Sequence, residues 1–329
     1  MDSQSSNLSL LEADIAVVVP CHNEEAAIAK VVEDFREALP GAEIYVYDNN
    51  SCDRTSEVAA AAGAIVRQEP LAGKGNVVRR MFADVEADIY IMVDGDDTYD
   101  AQAAPAMVNR LIDEQLDLVN GRRVTSIKKA YRPGHRFGNR LLTGLVAAIF
   151  GKRIGDMLSG YKVMSRRFVK SIPLLSAGFE IETELAIHAL ELRMPIGEMP
   201  VAYRDRPEGS ASKLSTVVDG ARILQTVLQL VKEERPLGFF LACGVLLAVT
   251  SVGLAVPLFV EYLETGLVPR IPTAVLSTGI MLLAFLSLAC GLILDTVTRG
   301  RREAKRMNYL NQPVFQPRIQ KLLERRLAG

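Results

Sequence analysis

Ile15-Ala16-Val17-Val18-Val19 is an uninterrupted apolar run, dominated by β-branched side chains and stopped by Pro20. It is too short for a helix and lacks the polar alternation of a half-exposed strand, so it predicts a parallel strand buried on both faces. Outward from it the pattern changes period and then repeats. Asn23, Glu24 and Glu25 open a helical spacing that runs to Ala38. Glu43 to Tyr47 reads as a second strand, with Ser51 or Asp53 capping a helix to Ala62. Ile65-Val66, then Gly75 to Ala83, then Asp88 to Val93, then Ala101 to Glu114 continue the alternation of strand and helix. Such alternation predicts an α/β unit built on a mostly parallel sheet. Ligands of these sheets sit beyond the carboxyl ends of the strands, where the loops Pro20 to Glu25, Asp48 to Thr55 and Asp94 to Asp100 converge.

The rest of the 329-residue chain excludes a simple soluble enzyme. Leu237 to Val260 and Ile271 to Leu294 carry no charge, and each is long enough to cross about 30 Å of hydrocarbon as a helix. Between the α/β unit and the first span, Leu214, Val217, Val218, Ala221, Leu224, Leu228 and Val231 recur at helical spacing, which predicts an amphipathic helix in the membrane interface or against protein. The expected organisation is a flexible N-terminus over 1–13, the α/β domain over 14–213, the amphipathic juxtamembrane helix over 214–235, a two-helix transmembrane hairpin over 236–295 and a basic tail over 296–329. A net charge of −1 argues against nucleic acid as a partner. The tail concentrates nine Arg or Lys against two Glu. Lys232 and Arg235 precede the first span and Arg299, Arg301 and Arg302 follow the second, so the positive-inside rule puts both termini in the cytoplasm. The first 20 residues lack the basic start and apolar run of a signal peptide. Cys21, Cys52, Cys243 and Cys290 have no metal-ligand spacing.

Val93-Asp94-Gly95-Asp96-Asp97 follows a predicted buried strand. Asp94 and Asp96 at a strand end can converge on one hard divalent cation, which is often held by one or two carboxylates together with substrate phosphates. By itself the pattern is common, and an acidic solvent-facing turn gives the same spelling. Neither a Rossmann fingerprint nor a P-loop is present.

Taken in order, Val19-Pro20-Cys21-His22-Asn23-Glu24-Glu25, Asp48-Asn49-Asn50-Ser51-Cys52-Asp53-Arg54-Thr55, Gly73-Lys74-Gly75, Asp94-Gly95-Asp96, Asp156-Met157-Leu158-Ser159-Gly160-Tyr161-Lys162 and the region Arg206 to Lys213 are more specific than any one of them. Over about residues 14 to 295 the chain resembles family 2 glycosyltransferases of the GT-A fold. Within that family it is similar to dolichol-phosphate mannose synthases and to bacterial polyprenyl-phosphate glycosyltransferases with two C-terminal transmembrane helices. The resemblance implies a nucleotide-sugar pocket formed by Pro20, Asn23, Glu24, Asp48, Lys74, Asp94, Gly95 and Asp96, with Mg2+ or Mn2+ on Asp94 and Asp96. It also implies an acceptor-phosphate region of Arg123, Arg136, Arg206, Ser212 and Lys213, with Asp156, Arg123 and Arg136 nearest the chemistry. Arginine suits phosphate through its planar donor fork. Asp156 is left open as a base, a sugar ligand or a loop anchor, and Glu180, Glu182 and Glu184 are left unassigned.

Two departures from that branch stand out. Thr98 replaces a glutamine that helps hold metal, and Gly209-Ser210-Ala211-Ser212-Lys213 is longer than the usual G-x-S-K segment. The expected reaction is inverting transfer of a sugar from a nucleotide sugar, with UDP the expected nucleotide, to polyprenyl phosphate, for envelope glycan or lipid modification. The expected setting is the bacterial inner membrane, as a multi-pass protein in contact with membrane lipids. The resemblance also implies a homo-oligomer, a tetramer being one form. The rival readings are transfer to the hydroxyl of a lipid-linked saccharide, which needs a base such as Asp156, and a membrane-anchored scaffold without turnover.

Overall fold

The computed structural model describes residues 13–124, 144, 154–178, 180–204, 206, 232 and 235–313. The chain divides into two compact units, Met1–Asp219 with Lys305–Gly329, and Gly220–Ala304.

The larger unit is built on one seven-stranded sheet: β1 Ile15–Cys21, β2 Glu43–Asp48, β3 Ile65–Gln68, β4 Ile89–Met92, β5 Leu118–Val124, β6 Lys162–Ser165 and β7 Ile196–Ala202. Its order is β3-β2-β1-β4-β6-β5-β7. β6 runs antiparallel to both β4 and β5, and every other pairing is parallel. The described helices are α1 Ile28–Ala38, α2 Thr55–Ala61, α3 Lys74–Asp84, α4 Ala104–Asp113, α5 Arg166–Ser171 and α6 Ile181–Glu191. The apolar run that opens the fold is buried on both faces, as its composition predicts. Val17 and Val19 enter one core with Ile28, Val32 and Phe35 of α1 and Met107 of α4. Ala16 and Val18 enter the other with Val78 and Met81 of α3, Phe168 of α5 and Leu185 of α6. Each fully buried valine contributes about 1.5–3 kcal/mol relative to exposure.

Pro20 does not stop β1, which continues through it to Cys21. Val18 O accepts from Val93 N on the β4 side, whereas Cys21 O accepts from Asn49 N on the β2 side. By that alternation the missing N–H of Pro20 faces β4, whose pairing with β1 has already ended at Met92. No ladder hydrogen bond is lost, so the proline is tolerated there. The helical spacing read from Asn23 begins at α1 only with Ile28, because Asn23 to Ala27 are taken up by a turn. Asp53 lies before α2 and accepts from the Thr55 N–H at 3.0 Å.

In the smaller unit, α7 Pro236–Thr265 ends at Gly266, in the left-handed conformation. α8 spans Ile271–Asn311, so the second apolar helix does not end near 295 but continues well into the basic segment. Both helices are long and apolar enough to cross a membrane, and only 11% of each apolar window is buried, which distinguishes them from soluble core helices. Apart from Pro236 at the start of α7, the buried positions are Gly244, Ser251 and Leu258 of α7 and Ser277, Ala284, Gly291 and Thr298 of α8, spaced as a heptad seam of mostly small residues. Ser251 Oγ donates to Ser277 O at 2.7 Å and Ser287 Oγ to Phe240 O at 2.8 Å, the close small-residue packing expected between membrane helices.

Residues 305–309 belong to the larger unit rather than to a free tail. Lys305 pairs with Glu191 at 2.7 Å, Tyr309 donates to Asp117 at 2.7 Å, and the Arg167 guanidinium stacks on the Tyr309 ring at 3.8 Å. Nearly all of the 125–153 and 207–235 stretches, residues 1–12 and residues 314–329 lie outside the described residues, the amphipathic juxtamembrane helix expected over 214–235 among them.

Candidate active site

Two loops at the carboxyl ends of β1 and β2 are stitched together by short polar side chains. Asn23, held at a φ of 53°, donates its backbone N–H to Ser51 Oγ at 2.8 Å and accepts from Cys52 N at 2.7 Å. Glu24 N donates to Thr55 Oγ1 at 2.9 Å. Asp48 is buried at the end of β2, where Oδ1 accepts from Ser51 N at 2.9 Å and Oδ2 from Ser56 Oγ at 2.5 Å and Gln68 Nε2 at 3.3 Å. Burial opposes its charge, and these donors more than offset that and hold the carboxyl below its usual range. Asn49 joins a third loop: its amide N donates to Glu69 O and Leu71 O, both at 2.8 Å, and its Oδ1 accepts from Gly73 N at 2.7 Å.

The β4 end presents the acidic pair. Gly95 between the two aspartates backs onto Cys21 and Val19, and a side chain there would collide with the Cys21 sulfur. Asp94 Oδ1 accepts from the ammonium of Lys74, the first residue of α3, which also donates to Glu182 in the first turn of α6. Gly160 packs so closely on Asp94 Oδ2 that no side chain fits at that position. Asp96 is 3% exposed; its Oδ2 pairs with Arg206 at 2.6 Å and its Oδ1 accepts from Thr98 Oγ1 at 2.6 Å. Thr98, standing where the resembled branch has glutamine, therefore orients Asp96. Asp97 turns away to Lys30 at 3.0 Å. Burial disfavours the charge on both aspartates; Lys74 nevertheless holds Asp94 below the usual range, whereas Asp96, with Asp94 beside it, is pushed above it.

Among the described residues no group of three or more His, Cys, Asp or Glu is placed to hold a metal. Two carboxylates at one strand end do fit a hard cation whose remaining ligands are phosphate oxygens and water.

Beside this pair, Arg123 at the end of β5 grips buried Asp156 through Nε to Oδ2 at 2.6 Å and Nη2 to Oδ1 at 2.8 Å. Its guanidinium also lies over the Tyr203 ring at 5.5 Å. Burial raises the carboxyl of Asp156, but the Arg123 hydrogen bonds prevail and hold it below the usual aspartate range. The backbone around Asp156 is fixed from behind: Asn120 donates to Asp156 O at 2.9 Å, and Glu198 accepts from Gly155 N at 2.7 Å and from Asn120 at 3.1 Å. Lys162, fully buried on β6, donates to Asn120 Oδ1 at 2.6 Å, and burial pushes its ammonium down to about 8 despite the attraction of Glu182 and Asp156. Gly160 N donates to Tyr99 OH at 2.8 Å, tying this loop to the segment after the aspartates.

Asp94, Asp96, Lys74, Arg206, Arg123 and Asp156 thus lie in one run of loops at the carboxyl edge, flanked by the Asn23, Glu24 and Asp48 loops and by Pro20 at the end of β1. Arg136, Ser212 and Lys213 lie outside the described residues. Of the three unassigned glutamates, Glu182 enters the site, whereas Glu184 accepts from Leu175 N and Ser176 N, both at 2.9 Å, and shapes a loop. Helical spacing groups Glu180 with Glu184 and gives no hint of Glu182. Asn120 and Glu198 carry no such signal, since strand residues have no motif for what lies across the sheet, and Lys162, which closes the Asp156 segment, has no role readable from its sequence position.

A model of the family described as "Glycosyl transferase family 2" matches residues 16–172. Glycosyltransferase AglJ of Haloferax volcanii is 32% identical over 88% of this chain and 95% of its own. A dolichyl-phosphate hexose transferase of the same organism is 30% identical over 68% of this chain and 96% of its own. Among solved structures, Mycobacterium tuberculosis glucosyl-3-phosphoglycerate synthase in complex with Mn2+, uridine-diphosphate and glucosyl-3-phosphoglycerate matches with a TM-score of 0.56 over 71% of this chain and 84% of that one, at 24% identity, a likeness of fold.

Proposed function

The chain belongs to glycosyltransferase family 2 and has a GT-A fold, and from that premise we propose that it transfers one sugar, with inversion, from a nucleotide sugar to a polyprenyl phosphate. The observation that carries the acceptor class is the Arg123–Asp156 pair. A hydroxyl acceptor needs a base, and Asp156 is the carboxylate beside the aspartate pair on which that role would fall. Both of its oxygens accept from one guanidinium, and its charge is stabilised there, so it is a poor proton acceptor. A phosphate brings its own anionic nucleophile and needs orientation instead. Asp156 uses the Nε–Nη2 edge of Arg123; the guanidinium's other edge has the fork geometry that suits a phosphate.

Asp94 and Asp96 would hold Mg2+ or Mn2+, which supplies positive charge to the departing nucleoside diphosphate. The loops carrying Asn23, Glu24 and Asp48 form the wall for the base and ribose, and Lys74 sits where the diphosphate enters. A UDP donor is supported by the uridine-diphosphate complex of the fold neighbour, and a lipid-phosphate acceptor by the dolichyl-phosphate hexose transferase relative. The two apolar helices keep the protein at the surface where a polyprenyl chain resides, with both termini cytoplasmic by the charge of their flanks. A homo-oligomer belongs to the same reading.

The test is transfer by the purified full chain in lipid, with Mg2+ or Mn2+, polyprenyl phosphate and a panel of nucleotide sugars. Mass analysis should find one sugar residue added to the lipid phosphate. Inactivity toward polyprenyl phosphate with every donor, accompanied by extension of a lipid-linked saccharide, would overturn this reading in favour of the hydroxyl acceptor.

A further inference from the structure

Lys74 is the buried cation whose behaviour the site has to resolve. Its ammonium bridges Asp94 Oδ1 and Glu182 Oε1, and its side chain is 10% exposed. The Asp94 side chain is 27% exposed, so a cation can reach it, while its Oδ1 already carries the Lys74 ammonium. A divalent cation taking an oxygen of Asp94 meets that ammonium at close range, and two like charges on one carboxylate in a poorly solvated site repel strongly. Withdrawal into water is obstructed by burial, and a buried ammonium stripped of its partner is strongly destabilising.

We propose that Glu182 is the second seat of Lys74: when a cation engages Asp94, the ammonium shifts its weight from Asp94 to Glu182 and stays in the site facing the diphosphate. This rests on the nucleotide-sugar reading above. Glu182 is already within hydrogen-bond reach of the same nitrogen, so the transfer needs rotation of the lysine tip and no movement of backbone. The two elements are pinned to each other, since Gly75 N in the first turn of α3 donates to Ala177 O at 3.0 Å, three residues before α6 begins its approach at Glu180. The first turn of α6 also favours a carboxylate through the helix dipole. Glu182 is in this account a positioning residue that acts through Lys74.

The experiment is Mn2+ binding to the full chain in lipid, read by electron paramagnetic resonance with and without UDP, for wild type, Glu182→Gln, Lys74→Met and the double variant. Glu182→Gln should weaken Mn2+ binding about tenfold, because the lysine then stays on Asp94. Lys74→Met should retain Mn2+ binding without UDP, and in that background Glu182→Gln should change it by less than about twofold, since no ammonium remains to be seated. Glu182→Asp, which keeps the charge on a shorter arm, serves in the same cycle if the Gln variant unfolds. An equal loss in both backgrounds would mean that Glu182 acts on the cation directly and would overturn the proposal, as would no loss in either. Absence of Mn2+ binding by the wild type, even with UDP, would instead remove the underlying cation reading.

Discussion

The carboxylates of this site are held in two different ways. On the β1 and β2 side, Asp48 is satisfied by a backbone N–H, a serine hydroxyl and a glutamine amide, all neutral donors. On the β4, β5 and β6 side, Asp94, Asp96 and Asp156 are each paired with a cation: Lys74, Arg206 and Arg123. Neutral donors fix a loop in one shape. A cation pair can be exchanged for another ion of the same sign, and its basic member can be passed to a phosphate. On the proposed function the first region is a wall and the second a working surface, although both are built on aspartates at the same edge of the sheet.

The largest effect is expected where exchange matters most. Asp96→Asn preserves volume and removes one charge from the proposed cation site, and should lower metal-dependent transfer by about a hundredfold or more. Its circular dichroism should stay near wild type; near-normal turnover with unchanged metal dependence would erase the distinction drawn between the two regions.

Arg123→Ala leaves the buried Asp156 carboxylate without its fork, which should cost about 3–5 kcal/mol of stability. Arg123→Lys should recover most of the stability but not acceptor use, since an ammonium lacks the planar fork. Acceptor KM should rise while nucleotide affinity, followed by titration calorimetry, remains measurable.

Lys162 tests the working surface through pH. Its folded-state value of about 8 lies below the ordinary lysine 10.5. Between those values the unfolded chain holds the extra proton, so this group's contribution to stability rises with pH across the window and its cost is fully present below it. Relative to Lys162→Met, wild-type stability should improve by up to about 3 kcal/mol from pH 8 to pH 10.5, read from paired denaturation curves. A flat difference would place the charge elsewhere.

The smallest effect is expected at the wall. Ser56→Ala removes one neutral donor from Asp48 and should cost about 1 kcal/mol, with a few-fold loss of nucleotide affinity and metal dependence unchanged. A shift in metal dependence there would mean that the two regions are not separate.

Much of this was legible from residue order. The run Ile15 to Val19, with its periodic successors, implied a sheet covered on both faces, because only burial on both sides makes a continuous apolar strand stable. The uncharged stretches implied two membrane-length helices for the same reason of solvent. The placing of Asp94 and Asp96 together at the end of β4 followed from their alternation after a buried strand. The fate of Pro20, the run of α8 to Asn311 and the docking of Lys305 on Glu191 were not legible, since each depends on what a neighbouring element offers.

The sequence by itself determined which segments had to be buried, which were long and apolar enough to cross a membrane and which carboxylates stand at the ends of the strands, because those properties belong to composition and period. Only the tertiary structure decided which cation each carboxylate meets. Asp156 meets Arg123 across β5, and Asp94 meets Lys74 from α3, which in turn meets Glu182 from α6. Charge pairing acts over a few ångströms, and residues far apart along the chain come within that range only after the sheet and its helices have packed.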